Sequence, residues 1–153
     1  MQFYIQQTLN ALQVGSVYAL IALGYTMVYG ILTLINFAHG DIFMISCYVA
    51  FFFSTLVISV LAGLPPLVVF VLTMLVSMFF TALLAVVIER LAYKPLRTAP
   101  RISAVITALG IGLLLENFMV AFKPVGPAPR FMPELIPNVI YNIGGVAVSN
   151  IQI

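Results

Sequence analysis

An all-α integral membrane protein with about four transmembrane helices is the fold class this sequence predicts, and three observations predict it. Hydrophobic residues make up 63% of the chain and charged residues 7%, whereas a soluble domain carries about 25% charged residues to cover its wet surface. No charged side chain stands between Phe3 and Ala38 or between Ile42 and Ile88, and a helix crosses the roughly 30 Å hydrocarbon layer in about 20 residues. The apolar runs are separated by polar, charged or proline-rich breaks, so each has the length of one span. The mean hydropathy of +1.20 agrees. A net charge of +2, with no basic face interleaved with aromatics, offers nothing to nucleic acid.

The first span runs from about Leu9 to Gly30. No lysine or arginine precedes it and no small-residue cleavage site follows a short apolar core, so it lacks the form of a cleaved signal peptide. Ala11, Gly15 and Ala19 recur at every fourth position, a small-residue stripe on which another helix can pack closely. Tyr18, Tyr25 and Tyr29 share another face, which suits packing, an interfacial belt or a pore lining.

A polar break follows at residues 31–41, where Thr33 and Leu34 lead into Ile35-Asn36-Phe37-Ala38-His39-Gly40-Asp41. It holds the only histidine and the only aspartate of the chain. A charge within hydrocarbon costs about 2.5–3.5 kcal/mol, so this island belongs at an interface or against a polar cavity. Gly40 suits a junction between helices, and Asp41 suits a cap for a helix starting at Ile42. The alternative is that the broken backbone lines a substrate path, with Asn36 and His39 as path or gate residues.

The second span, 42–62, ends at Gly63-Leu64-Pro65-Pro66, where proline lacks the N–H that a helix needs. The third, 67–88, completes a tight membrane hairpin. Its phenylalanines and those of the second span suit lipid contact or packing, and Cys47, amid apolar neighbours, suits a buried thiol. Residues 89–101 then bring Glu89 together with Arg90, Lys94, Arg97 and Arg101. Such a cluster at the end of a span marks the cytoplasmic side, with headgroup or partner contact as its further uses. Counting back, the polar island is also on the inner side and the N-terminus is outside.

The fourth span, 102–122, carries Ala104, Ala108 and Gly112 in another stripe of fours, extended by Glu116 beside Asn117. An intramembrane carboxylate is a functional candidate, so Glu116 joins the path or gate residues, with snorkelling or a bond to a neighbouring helix as the other reading. Five prolines between Pro124 and Pro137 exclude regular helix there. The segment 123–153 is thus an irregular periplasmic stretch, with two short strands about Gly144-Gly145. The final Ile151-Gln152-Ile153 breaks off in an apolar run, as though interrupted. The chain reads as a single transmembrane domain, 1–153.

One histidine, one cysteine, and no Gly-x-Ser-x-Gly or His-Glu-x-x-His run leave no metal or nucleophile set to assemble, so no enzyme and no cofactor is expected. A conduit component is the function the residues suggest. A membrane scaffold or assembly protein, which needs no polar path, is the rival.

Gly24-Tyr25-Thr26-Met27-Val28-Tyr29-Gly30, followed by the island from Ile35 to Asp41, resembles the signature of branched-chain amino-acid ABC importer permeases of the LivH type. The stretch from Glu89 to Arg97 is similar to that family's first cytoplasmic loop, and Asn138 to Ile153 resembles its outer segment. Related urea permeases tend to carry methionine and glutamate where Phe37 and Asp41 stand. The resemblance implies a multi-pass permease subunit of the bacterial inner membrane that imports leucine, isoleucine or valine; another amino acid, an amide or urea is the alternative cargo. It also implies a second homologous permease subunit, two cytoplasmic ATPase subunits and a periplasmic substrate-binding protein. Family members are longer, so the chain looks like the N-terminal half of such a permease.

Overall fold

The computed structural model describes residues 2–32, 35–60, 63–126, 128–143 and 146–150. Among these residues, four helices are long and apolar enough to cross a membrane. They are α1 (Gln2–Leu32), α2 (His39–Val60), α3 (Pro66–Ile88) and α4 (Arg101–Ala121). Pro65 and Pro66 open α3 and Pro100 precedes α4, positions at which the missing N–H has no helical partner to lose. Gly63 supplies the positive φ of 118° that turns α2 towards α3. The end of the second span, at residues 61–62, lies outside the described residues.

Two boundaries differ from the sequence expectation. α1 begins at Gln2, seven residues before Leu9, because its uncharged glutamines and asparagine cost a helix end little. α3 does not stop where the charges begin. It continues through a π-helical turn (Glu89–Tyr93) and a short 3₁₀ turn (Lys94–Leu96). The charged loop is therefore mostly helical, and its irregular part shrinks to the residues just before α4.

α2 is the centre of the core, packed against α3 and, over a smaller area, against α4. The α2–α3 contact includes a polar clasp: the Ser77 hydroxyl donates to the Ser46 carbonyl at 3.0 Å, and the two hydroxyls are 2.9 Å apart. Val57, Val69, Ala108, Leu115 and Met119 are among the buried residues of these helices. α1 stands apart, so Ala11, Gly15 and Ala19 are exposed and the space beside Gly15 is open. Among the described residues, the first small-residue stripe thus faces no other helix. The second does: Ala108 and Gly112 are buried against α2.

Beyond α4, Gly126 adopts a φ of 63° and Arg130 folds back to donate to the carbonyls of Pro124 and Val125. The proline-rich segment then runs down the α2–α3 surface. Met132 lines an open cavity of about 410 Å³ with Met44, Tyr48 and Phe51, and joins Leu135 in one of about 290 Å³ with Ser46, Thr73 and Ser77. Ser77 lies eleven residues into α3, roughly 16 Å along its axis. The segment expected as an outer loop therefore reaches well along the spans.

The expected strands are present as β1 (Ile140–Ile143) and β2 (Val146–Ser149), antiparallel with Ile140 opposite Ser149 and Ile143 opposite Val146. The glycine turn at 144–145 and the terminal residues 151–153 lie outside the described residues. Gln6 accepts the Ala147 N–H at 3.0 Å, so the start of α1 and this hairpin share one end of the molecule.

Candidate functional site

The polar island is built from the start of α2. Among residues 35–38, the Asn36 carbonyl accepts the His39 N–H at 3.1 Å and Asn36 Oδ1 accepts the Ala38 N–H at 3.1 Å. The Ala38 carbonyl then accepts the Ile42 N–H at 3.0 Å, and the helix is under way. α2 thus begins at His39, three residues before the expected start at Ile42. This corrects two roles. Gly40 lies within the first turn of α2 rather than at a break, and the positive φ values among described glycines are at Gly63 and Gly126. Asp41 is likewise in the first turn, so Asn36 organises the helix start instead. The physical reason is that an asparagine side chain can fold onto the amide two residues on, which sets the turn before any carboxylate is needed. Asp41 keeps only the favourable field of the helix N-terminus, worth about 0.3–1 kcal/mol. Thr33 and Leu34, expected to lead into the island, lie outside the described residues.

Three side chains of the island then reach three different elements. The His39 ring lies on Gly24 of α1, 3.5 Å from where a Cβ would stand. It also meets Tyr25 edge to face, with centroids 5.5 Å apart and planes at 79°. Asp41 lies on Gly112 of α4, where an added Cβ would stand 2.5 Å from Oδ2. Asn36 Oδ1 accepts a second hydrogen bond, from the Tyr93 hydroxyl in the π turn, at 2.9 Å. Ala38, fully buried at the centre, lets α4 come close: its Cα is 3.9 Å from the Gly112 Cβ position. At 112 the absence of a side chain gives Asp41 its place, whereas at 24 a Cβ would stand at ordinary van der Waals distance from the His39 ring.

The remaining candidates are elsewhere. Glu116 is exposed on α4, and no hydrogen bond or ion pair engages it among the described residues. It lies one turn beyond Gly112 and does not join Asn36 and His39. Asn117 donates to the Leu113 carbonyl of its own helix at 2.7 Å. Ala104 is half-buried on α4. Of the cations, Arg97 pairs with Glu89 at 2.7 Å in an exposed bridge, Arg90 and Lys94 are exposed, and Arg101 opens α4. Tyr18 and Tyr29 are exposed, so only Tyr25 of the tyrosine face meets the island. Sequence reasoning missed Tyr93 and Gly24, and gave Gly112 a packing role without its partner. No spacing rule joins position 36 to 93.

Chemically, the site is a junction of an amide, a phenol, an imidazole and one carboxylate at a helix start. Among the described residues no group of three or more histidine, cysteine, aspartate or glutamate side chains could hold a metal ion.

Comparison with known proteins bears on what such a junction serves. A family model described as branched-chain amino acid transport system / permease component matches residues 7–145. The chain is 40% identical over 154 residues to the high-affinity branched-chain amino acid transport system permease protein BraD of Pseudomonas aeruginosa, a match that covers 98% of this chain and 49% of that protein. It is 39% identical over 123 residues to the permease proteins LivH of Salmonella typhimurium and of Escherichia coli K12, covering 76% of this chain and 38% of each. The chain thus spans half or less of the length of these curated relatives. No solved structure matches it.

Proposed function

We propose, from the premise that this chain belongs to the branched-chain amino acid transport permease component family, that it acts as a membrane-embedded permease subunit of an ABC importer for leucine, isoleucine and valine. The observation that carries this is the similarity to BraD, which runs along 98% of the chain and so includes the island and its contacts. The bacterial inner membrane is the setting, with residues 89–101 on the cytoplasmic side and the Pro124–Pro137 stretch leaving α4 on the periplasmic side.

The partners that follow are a second homologous permease subunit, two cytoplasmic ATPase subunits and a periplasmic substrate-binding protein. The chain has no Gly-x-x-x-x-Gly-Lys-Ser/Thr run with which to cradle a nucleotide, so ATP hydrolysis falls to the partners. Within the subunit, Asn36 and His39 are the residues we place at the path or gate. They are polar and sit at the start of a spanning helix, where His39 meets α1 and Asn36 holds the π turn.

The test is reconstitution in liposomes of the full-length permease that carries this sequence, with the companion permease, ATPases and binding protein, following labelled leucine. ATP-dependent accumulation that is lost when any partner is omitted supports the reading. ATP-dependent accumulation by this chain alone, or uptake of urea or another amino acid in preference to leucine, overturns it. His39→Ala and Asn36→Ala that leave both uptake and membrane abundance normal would remove these residues from the path and leave the island a helix junction.

A further inference from the structure

We propose that Tyr93 is a positioning residue, whose hydroxyl pins the polar island to the π turn and so couples movement of the charged segment to Asn36 and His39. The proposal rests on the permease reading for its consequence but not for its geometry.

Asn36 Oδ1 has two lone pairs, and both are used: one by the Ala38 N–H at 3.1 Å and one by the Tyr93 hydroxyl at 2.9 Å. The first bond is local and makes the turn into α2. The second spans 57 positions of sequence and is not needed for that turn. Its effect is to fix where the turn sits relative to the end of α3. Asn36 and Tyr93 are both half-buried, so the bond is partly shielded from competing water.

Tyr93 closes the π turn, which runs from Glu89 and follows the last α-helical residue, Ile88. A π turn holds one residue more than an α turn, and such turns are uncommon and concentrate at functional sites. Returning this one to α geometry would rotate everything beyond it by about 100° around the axis. The Tyr93 hydroxyl would then leave Asn36. The segment therefore has two discrete registers, and only the π register makes the bond. The same segment carries the Glu89–Arg97 pair and the exposed Arg90 and Lys94, the face a cytoplasmic partner would press on. A push that changes the register releases Asn36, and with it the neighbouring contacts of His39 on Gly24 and Tyr25 and of Asp41 on Gly112.

The experiment uses Tyr93→Phe, which removes only the hydroxyl, beside Asn36→Ala and the double variant, in the assembled transporter with its partners. The readout is ATP hydrolysed per leucine imported, measured at equal membrane abundance. A net hydrogen bond of ordinary strength corresponds to a change on the order of 2- to 10-fold. Tyr93→Phe should raise the ratio by that factor, and the double variant should be no worse than Asn36→Ala alone. A wild-type ratio in Tyr93→Phe, or independent effects that multiply in the double variant, overturns the proposal.

A second arm reads the pin without reference to cargo. Spin labels at Phe37→Cys and Arg90→Cys, on a Cys47→Ser background, report the distance from the island to the π turn. Tyr93→Phe should broaden that distribution, and an unchanged one overturns the pin. If the unaltered assembly fails to import leucine, the permease reading falls, and the spin labels still decide the pin.

Discussion

Gly112 is where the packing of the island can be put to a quantitative test. A methyl group at this position would stand 2.5 Å from Asp41 Oδ2 and 3.9 Å from the Ala38 Cα. The two neighbours respond differently. The carboxylate is the end of a short side chain and can retreat, by about 1 Å, at an off-rotamer cost of about 0.5–1.5 kcal/mol. The Ala38 Cα is backbone and cannot retreat. Replacing glycine by alanine inside a helix also gains about 0.5–1 kcal/mol. Gly112→Ala should therefore be close to neutral, and with Asp41→Ala already in place it should become stabilising by about 0.5–1 kcal/mol. Gly112→Leu has to displace Ala38 as well and should cost about 1–3 kcal/mol, with or without Asp41→Ala. Reversible unfolding of the full chain in mixed micelles, followed as a double-mutant cycle, measures all of these. Equal stability of Gly112→Leu and the unaltered chain, or no coupling between positions 41 and 112, would refute the reasoning.

The α2–α3 clasp yields an asymmetric prediction. Ser77→Ala removes both of its bonds and should cost about 0.6–1.7 kcal/mol in the same unfolding measurement, while Ser46→Ala should cost less, because the Ser46 carbonyl still accepts the Ser77 hydroxyl. At the helix start, Asn36→Ala should lose about 0.5–2 kcal/mol as a lost cap. Asp41→Asn should lose only the charge–dipole part, about 0.3–1 kcal/mol; the reverse order would restore Asp41 as the cap. For orientation, single cysteines at Thr98 and Ala128 on a Cys47→Ser background should react with an impermeant thiol reagent in intact cells at position 128 and not at 98. Labelling at 98 alone would invert the topology.

The four spans were legible because an uncharged apolar run long enough to cross a bilayer has few other stable fates. The hairpin near the end was legible in its β-branched residues. The α2 start was misplaced by three residues because capping logic ranks a carboxylate beside a glycine highly, whereas Asn36 and Ala38 formed the turn earlier with a shorter reach. The charged stretch after Ile88 looked like a loop because its residues are polar. Polarity decides where a chain meets water but not whether the helix stops, and π and 3₁₀ turns carried it on to Leu96. The contacts that make the island a site were not legible. His39 with Gly24, Asp41 with Gly112 and Asn36 with Tyr93 join residues whose proximity depends on how helices cross. A stripe of small residues shows that a close approach is possible, and only the fold shows which side chain makes it.

The two acidic candidates of the spans differ for a reason that follows from helix geometry alone. Hydroxyl and amide side chains inside an apolar helix can satisfy a donor on their own backbone, as Thr26, Ser59 and Asn117 do on the carbonyls three or four residues back. A carboxylate cannot, because it accepts and the carbonyls it meets accept as well. It is at ease on its own helix only in the first turn, where N–H groups lack partners. Asp41 occupies such a turn, and Asn36 leaves it free by setting the turn itself. Glu116 stands fifteen residues past the start of α4, where every N–H is already spoken for. A charge at Glu116 therefore needs a partner from beyond its own helix, while Asp41 lies in the favourable field of the α2 start. Both are carboxylates set against apolar spans, and their distance from a helix start sets them apart.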